Sequence, residues 1–443
     1  MVAVRSAPPA QRPARLRTPA TTPAALRLLI VALVTASLAW GAVAAWTVSQ
    51  HASAAGDVVS TREPLSADAQ QMYQSLSDAD VTATTAFLSG PQEPLTARQR
   101  YQADIAQAAA DLTALKDAAP PSRDNSASRD NSLNAVSTGL PVYTAYVAEA
   151  QTDSSLGFPL TGGSIMQVAS EEMHLTLLPA AGGIYAQENA RLTAESARAT
   201  GLPWVAAAAL LAVVIGFALY RVQRWLSRRT HRMVNYSLLA ASVMLVIGAA
   251  WLVIAFAVAR SDLQHGVGSG SVPAETLARA SIAVQQARGD EVVNLISRSG
   301  DAAFEQNFQA VRAEVGPGPG TLLTDAATSA GNGPSARPVA AAAQDAPAWY
   351  ATNEQVYRLD SAAQYPAETQ LVIGTGPASS AAGFRRLEAD LSQAIAADQG
   401  TFRSGVTAGA DAFSGLEAGI IVASILMAAG CAWGLTRRLA EYR

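Results

Sequence analysis

The residues of this chain that could carry out chemistry are few and lie far apart. Its four histidines are His51, His174, His231 and His265, and they show no H-E-x-x-H pair or similar metal-ligand spacing. Cys431 is the only cysteine, which excludes a disulfide within the chain and a zinc site built from several cysteines. The sequence therefore predicts no metal site and no cofactor.

Carboxylates are more numerous, 35 in all, but they are scattered. Most lie on the predicted solvent faces of helices, where hydration rather than acid–base chemistry is the expected role. No phosphate-binding glycine loop and no nucleophile elbow can be placed on a suitable strand and helix. We therefore expect a protein that is not an enzyme and has no nucleic-acid partner.

Two of the histidines follow apolar segments at matching places. Gln50-His51 comes after the first such segment and Gln264-His265 after the third. Either histidine could sense protons or stack on lipid headgroups. A polar residue at a membrane interface is the favoured interpretation of both.

The composition indicates a membrane protein. Only 15% of the residues are charged and the mean hydropathy is +0.16, whereas a soluble domain carries about 25% charged residues. Four windows without lysine or arginine have the length of about 20 mostly apolar residues that a transmembrane helix needs. They are residues 28–48, 202–220, 238–259 and 416–435. The first is longer than the core of a secretory signal, about 7–15 residues, so we expect it to be retained.

The charge distribution predicts the topology. The tail 1–27 and the loop 221–237 are rich in arginine and contain no acid, whereas residues 49–201 carry 17 acids against 8 basic residues. The positive-inside rule then places both termini and the short loop in the cytoplasm, and both long segments outside the cell membrane. Five arginines of the loop are candidates for contact with an acidic partner or anionic lipid: Arg221, Arg224, Arg228, Arg229 and Arg232.

The layout of one half repeats in the other. Each half has an apolar segment, an outer segment of similar length and a second apolar segment, and residues 75–88 and 283–296 align with apolar positions in common. We predict an all-α membrane protein with four transmembrane helices and two extracytoplasmic antiparallel helical bundles, related by internal duplication. The predicted order is a cytoplasmic tail (1–27), helix (28–48), bundle (49–201), helix (202–220), Arg-rich loop (221–237), helix (238–259), bundle (260–415), helix (416–435) and cytoplasmic tail (436–443).

Apolar spacing predicts the helices of both bundles. In the first, helices begin near residue 66 and cover 96–115, 133–146 and 164–192, the last with a candidate kink at Pro179, Gly182 and Gly183. In the second, helices are expected near 272–314, 346–368 and 380–416.

Three further expectations concern the second half. Residues 316–343 are rich in glycine, proline, alanine, serine and threonine, which predicts a flexible loop. Residues 370–373 are the only candidate strand. Because no proline interrupts residues 380–435, we expect one continuous rod there.

One stretch is similar to a known family. The run Ala169-Ser170-Glu171-Glu172-Met173, then Leu177-Leu178-Pro179-Ala180-Ala181 and Ile184-Tyr185, resembles the actinobacterial GlnX family, as do the four spans, the two helical outer segments and the chain length. The resemblance implies a relay. A GlnH-like solute-binding lipoprotein would sense aspartate or glutamate outside, and a PknG-like Ser/Thr kinase would receive the signal inside.

The residues alone leave other functions open. The predicted cytoplasmic pieces are too short to fold as an enzyme or adaptor, so another protein would have to supply any output. The bundles could instead bind a small molecule directly, or the chain could be a structural protein of the envelope. No ligand-binding residue can be carried over from the resemblance.

Overall fold

The computed structural model describes residues 22–90, 95–118, 126–199, 203–230, 236–297 and 302–440. Throughout these residues the regular structure is helical and contains no strand, which confirms the predicted all-α class. The first half comprises α1 (Thr22–Asp57), a π-helical turn (Val58–Arg62), α2 (Glu63–Leu88), α3 (Leu95–Asp117), α4 (Ser126–Ser155), α5 (Pro159–Glu172), a second π turn (Met173–Leu177), α6 (Leu178–Ala199) and α7 (Pro203–Thr230).

The second half begins in the same way. It comprises α8 (Tyr236–Gly266), a third π turn (Val267–Ser271), α9 (Val272–Ser297), α10 (Ala302–Val315), α11 (Leu322–Ala330), α12 (Ala336–Ser361), α13 (Tyr365–Ile373), α14 (Ser380–Asp411) and α15 (Leu416–Ala440). In both halves an apolar helix leads through a five-residue π turn into a helix of 26 residues. This shared opening supports the predicted duplication.

Within the part of the chain that the structure describes, four helical stretches are long and apolar enough to cross a membrane, as predicted. They lie within Arg27–Leu88, Val205–Arg224, Tyr236–Ile296 and Ser380–Arg437. The chain is therefore a membrane protein, and the sidedness of its termini stays a prediction.

The chain divides into two compact units. The first, which we call the apolar unit, comprises residues 1–49, 202–255 and 415–443. Within it the buried indole of Trp40 donates from Nε1 to the carbonyl oxygen of Ala208 at 3.2 Å, and its ring lies against Gly248. Small residues at such contacts let apolar helices approach closely.

The second unit, which we call the bundle unit, comprises residues 50–201 and 256–414. Its first bundle is α2–α6 and its second bundle is α9–α14, with α2 and α9 in contact. One hydrophobic core extends through both bundles, from Met72, Leu76 and Met173 to Val284 and Leu391. The two predicted bundles thus share one interior.

The prediction of a flexible loop at 316–343 is wrong. The segment contains α11 and the beginning of α12. One side of these helices faces the core, since Leu323, Ala326, Val339 and Ala342 are all buried. The alanine-rich composition led to a wrong prediction of a loop, because alanine is a good helix former and small enough for close helix packing.

Two other expectations for the second half are also wrong. Residues 370–373 end α13 instead of forming a strand, and Val372 packs with Val292, Leu295 and Val356. The expected rod is interrupted between α14 and α15, where Gly415 has a φ of +74°. α14 ends at Asp411, and Gly415 adopts the left-handed conformation in the turn that follows without the steric cost that a Cβ brings, so the rod is broken where no proline stands.

Candidate functional site

The arginines of the predicted cytoplasmic contact begin on the last turns of α7. Arg221 lies over the ring of Phe217 at 5.7 Å, and Arg224 donates to the hydroxyl of Tyr220 at 3.0 Å. Arg228 and Arg229 continue this helix, while Arg232 lies outside the described residues. Residues 221 and 224 share one helix face because they are three positions apart.

The predicted kink coincides with a change in helix geometry. The π turn Met173–Leu177 ends just before Pro179, and the backbone N–H of Leu178 donates to the carbonyl of Met173, five residues back. A proline ring clashes with the carbonyl four residues earlier in an α-helix, and the wider turn relieves that clash. Gly182 and Gly183 follow in α6, with Gly182 against the ring of Tyr73.

A buried polar cluster, which we call the Asp80 cluster, faces this π turn inside the first bundle. Asp80 of α2 is 2% exposed. It accepts hydrogen bonds from the hydroxyls of Tyr143 at 3.2 Å and Ser170 at 3.0 Å, and its Oδ2 lies 3.2 Å from Nε2 of His174. Three helices thus supply partners to one carboxylate, which offsets the cost of burying it.

His174 also lies against the second bundle. A Cβ atom built on Gly289 of α9 would be 2.6 Å from Cε1 of the imidazole, so only glycine leaves room for the ring. The next residue, Asp290, attracts a positive charge on His174. The imidazole therefore lies at the contact between the two bundles.

The second bundle has a buried cluster of its own, which we call the Arg288 cluster. Arg288 forms an ion pair with Glu291, and both side chains are at most 2% exposed. Glu291 accepts further hydrogen bonds from Ser380 at 2.7 Å and from Asn353 at 3.1 Å, and Trp349 donates to Ser380 at 2.9 Å. The groups of this cluster bind one another, and all of them belong to the second bundle.

Polar side chains also join the bundles along α2, α9 and α14. Arg403 donates to both carboxylate oxygens of Glu63, at 2.7 and 2.9 Å. Further along, Glu388 of α14 accepts from Gln285 at 3.0 Å and from Ser281 at 3.1 Å, both on α9 of the same bundle, and Ser281 in turn accepts from Gln74 of α2 at 3.5 Å. Burial and the charge of Asp78 raise the pKa of Glu388 to about 7, against the opposing hydrogen bonds. The packing of α2, α9 and α14 therefore includes polar side chains and a carboxyl group that can titrate.

The other reactive side chains lie apart from these clusters. His51 is buried, with its ring centre 5.0 Å from that of Phe256 and 6.5 Å from that of Phe413. His265 is exposed, His231 lies outside the described residues, and Cys431 is buried in α15. Among the described residues no group of three or more histidine, cysteine or acidic side chains could hold a metal ion.

A cleft opens at the end of the first bundle where α2 and α4 terminate. Its volume is about 320 Å³, which is within the range of small-molecule sites. The lining combines one guanidinium, several hydroxyl and amide groups and one aromatic ring, from Ala86, Phe87, Gly90, Arg98, Ala148, Gln151, Thr152, Ser154 and Ser155.

The comparison with protein families bears on this bundle. Residues 54–197 match the family model of an actinobacterial sensor domain. The match covers 144 of the 443 residues and includes the Asp80 cluster and the cleft. It supports a sensing or signalling role for this membrane protein. Comparisons with curated proteins and with solved structures give no match.

Sequence reasoning missed both buried clusters, although a signal for each is present. Asp80 follows Leu76 by four positions and precedes Ala83 by three, so a charged residue occupies the apolar stripe of α2. Arg288 stands four positions after Val284 in α9 in the same way. A charge on a core stripe predicts a buried partner, but the sequence does not show which helix supplies it.

Proposed function

We propose that this chain is a non-enzymatic transmembrane signal relay. It passes the ligand state of an extracytoplasmic binding lipoprotein for aspartate or glutamate to a cytoplasmic Ser/Thr protein kinase, with both of its own termini in the cytoplasm. The observation that carries the proposal is the sensor-domain match in the first bundle of a chain with four membrane-capable helices.

The resemblance to the GlnX family supplies the identity of the partners in this proposal. The residues of that resemblance, 169–185, form the end of α5, the π turn and the start of α6. Ser170 and His174 of this stretch belong to the Asp80 cluster. A change in the packing of this stretch would therefore reach the centre of the bundle unit.

Continuous helices give such a change a path toward the apolar unit. The boundary between the two units falls inside α1, at residues 49 and 50, and inside α8, at residues 255 and 256. Helices shift by about 1–2 Å in many signalling proteins. The lipoprotein must bind one arrangement more tightly than the other, since a ligand without differential affinity shifts no equilibrium.

The basic segment at the end of α7 is the proposed kinase contact. Arg221 and Arg224 are exposed on one helix face, and Gln223 between them donates to Ser242 of α8 at 3.1 Å. This bond fixes the base of the segment against a second helix of the same unit.

Affinity purification after mild cross-linking in the host membrane tests the relay. The full chain is compared with a variant in which Arg221, Arg224, Arg228, Arg229 and Arg232 are all glutamine. We expect the wild type to recover a solute-binding lipoprotein and a soluble Ser/Thr kinase, and the variant to lose the kinase but keep the lipoprotein. A matched control replaces exposed arginines of the bundle unit, Arg279 and Arg312, and should recover both partners. Good yield of the bait with neither partner would overturn the proposal.

The cleft favours direct sensing of a small molecule as a second candidate function. Titration of the full chain in lipid nanodiscs with L-aspartate and L-glutamate, without any lipoprotein, distinguishes the two. Saturable heat that is lost in Arg98→Gln would support direct sensing, whereas no heat for the wild type would contradict direct sensing of these two amino acids.

A further inference from the structure

We propose that His174, held by Asp80 in the first bundle and facing the second, is a proton-binding site through which the bundle unit responds to acidity. Protonation strengthens the contact between the bundles, and loss of the proton weakens it. The inference concerns only this contact, so it does not depend on the proposed lipoprotein or kinase.

The position of His174 suits a proton-binding site. Its side chain is 21% exposed, which leaves it in reach of water, whereas the side chain of Asp80 beside it is only 3% exposed. It also lies within a π turn, a geometry that recurs at functional sites in helices. Asp80 therefore holds the imidazole in place, while water can still reach the ring and exchange protons with it.

Charged and titratable groups face the imidazole from the helices packed across from the π turn. Asp80 comes from α2, Tyr143 of α4 acts through its hydrogen bond to Asp80, and Asp290 comes from α9 of the second bundle. An ionised carboxylate only accepts hydrogen bonds, so Nε2 donates to Asp80 and the added proton goes to Nδ1. The imidazolium then attracts a carboxylate from each bundle, and neutral histidine leaves those two negative charges without a shared cation.

The balance of these effects favours the charged form. Burial lowers the pKa of His174, but the hydrogen bond to Asp80 and the negative charges of Asp80 and Asp290 outweigh it and raise the pKa above 6.5. A raised pKa in the folded state means that the stabilisation is complete below the unfolded pKa and is lost as pH rises through the folded pKa. The contact between the bundles should therefore be tighter in acid and looser in alkali.

Histidine NMR of the full chain in lipid nanodiscs tests the site directly. The chain has four histidines, so ¹³C-labelled imidazoles can be assigned by comparing the wild type with His174→Gln and His265→Gln. We expect His174 to titrate with a midpoint above 6.5, the ordinary value. In Asp290→Asn the midpoint of His174 should fall by at least about 0.3 pH units. A midpoint at or below 6.5, or one that Asp290→Asn does not move, would overturn the proposal.

A double-mutant cycle tests the coupling between the bundles. Thermal unfolding midpoints are measured for the wild type, His174→Gln, Asp290→Asn and the double variant, at about pH 5.5 and about pH 8.5. We expect non-additive midpoint shifts at the lower pH and additive shifts at the higher one. Because the cycle compares the same four proteins at each pH, titration of other groups such as Glu388 cancels. Additive shifts at both values would contradict the proposal. If His174→Gln does not fold, the effect of Asp290→Asn on the NMR midpoint still decides it.

Discussion

The two bundles bury a charged group at nearly the same level of their first helices but use it differently. In the second bundle, Arg288 of α9 is paired with Glu291 of the same helix, and Ser380 closes the pair from α14. In the first, Asp80 of α2 is paired with His174, whose ring lies against Gly289 of the other bundle. At this level of α2 and α9 the duplicated scaffold thus contains a cluster closed within the second bundle and a cluster shared between the bundles.

The difference lies in the cation. A guanidinium stays charged at every pH a protein normally meets, whereas imidazole loses its proton near neutrality. The cation of the Arg288 cluster therefore stays charged, and we call this cluster the permanent clamp. The Asp80 cluster can gain or lose a proton. The sensor-domain match includes the changeable cluster, which suits a bundle that detects a condition.

Removing the anion of the permanent clamp should give the largest effect. Glu291→Ala leaves the guanidinium of Arg288 buried without its partner, and we expect a loss of about 3–5 kcal/mol in unfolding free energy, measured by denaturant unfolding of the full chain in detergent. Asp80→Ala in the first bundle should cost less above about pH 8, because His174 can release its proton. The distinction between the clusters fails if the two variants are equally destabilised at that pH.

The beginnings of the two bundles also differ in packing. Where α8 meets α14, a Cβ atom on Gly405 would be 2.7 Å from Cα of Gly266, whereas one on Gly56 of α1 would meet nothing within 4 Å. We expect Gly405→Ala to lower the unfolding free energy by about 1–3 kcal/mol through overpacking. Gly400→Ala on the same helix has open space and should raise it by about 0.5–1 kcal/mol. Destabilisation by both substitutions would show that helix flexibility, not close approach, is what these glycines provide.

Sequence patterns predicted where most helices lie because apolar spacing reports directly on helix faces. The single helices expected near 272–314 and 346–368 are wrong, since each is two helices, α9 with α10 and α12 with α13. The stripe from Phe384 through Leu387 and Leu391 identified α14, and these side chains are buried. Two glycines of the same helix, Gly405 and Gly409, lie against α8. The break between α14 and α15, where Gly415 has a positive φ, was missed because a positive φ depends on the chain direction that follows it.

Local sequence patterns could not predict the Asp80 cluster or the Arg288 cluster. His174 lies 94 residues from Asp80, and only the packing of α2 against the second π turn brings them together. The role of Gly289 depends on a ring from the other bundle, which no spacing within α9 reveals. A single charge on an apolar stripe indicates that the charge needs a buried partner, but only the folded structure shows which residue that partner is.

Titration of Glu388 should have a smaller, pH-dependent effect where α14 packs against α9. Its pKa is raised to about 7, so the folded state favours the neutral acid and ionisation at higher pH opposes folding. Glu388→Gln, which keeps a neutral group of similar shape, should stabilise the chain by about 1 kcal/mol at pH 8 and have little effect at pH 5. Thermal unfolding at the two pH values measures this difference. A stabilisation of equal size at both would mean that the carboxylate is not titrating at this contact.

The smallest effect is expected at an ion pair of the second bundle that is not buried. Arg312 and Glu354 are paired, but their side chains are 44% and 48% exposed, so water competes for both charges. We expect Arg312→Gln to change the unfolding free energy by about 0–1 kcal/mol, and salt to reduce even that, since exposed charges are screened. Comparing the unfolding free energy of this variant with that of Glu291→Ala in the same buffer shows how much of an ion pair's effect on stability depends on its burial. A cost above about 2 kcal/mol would mean that pairing, not burial, governs stability in this bundle, and the contrast between its clamp and the Asp80 cluster would have to be explained by the number of partners instead.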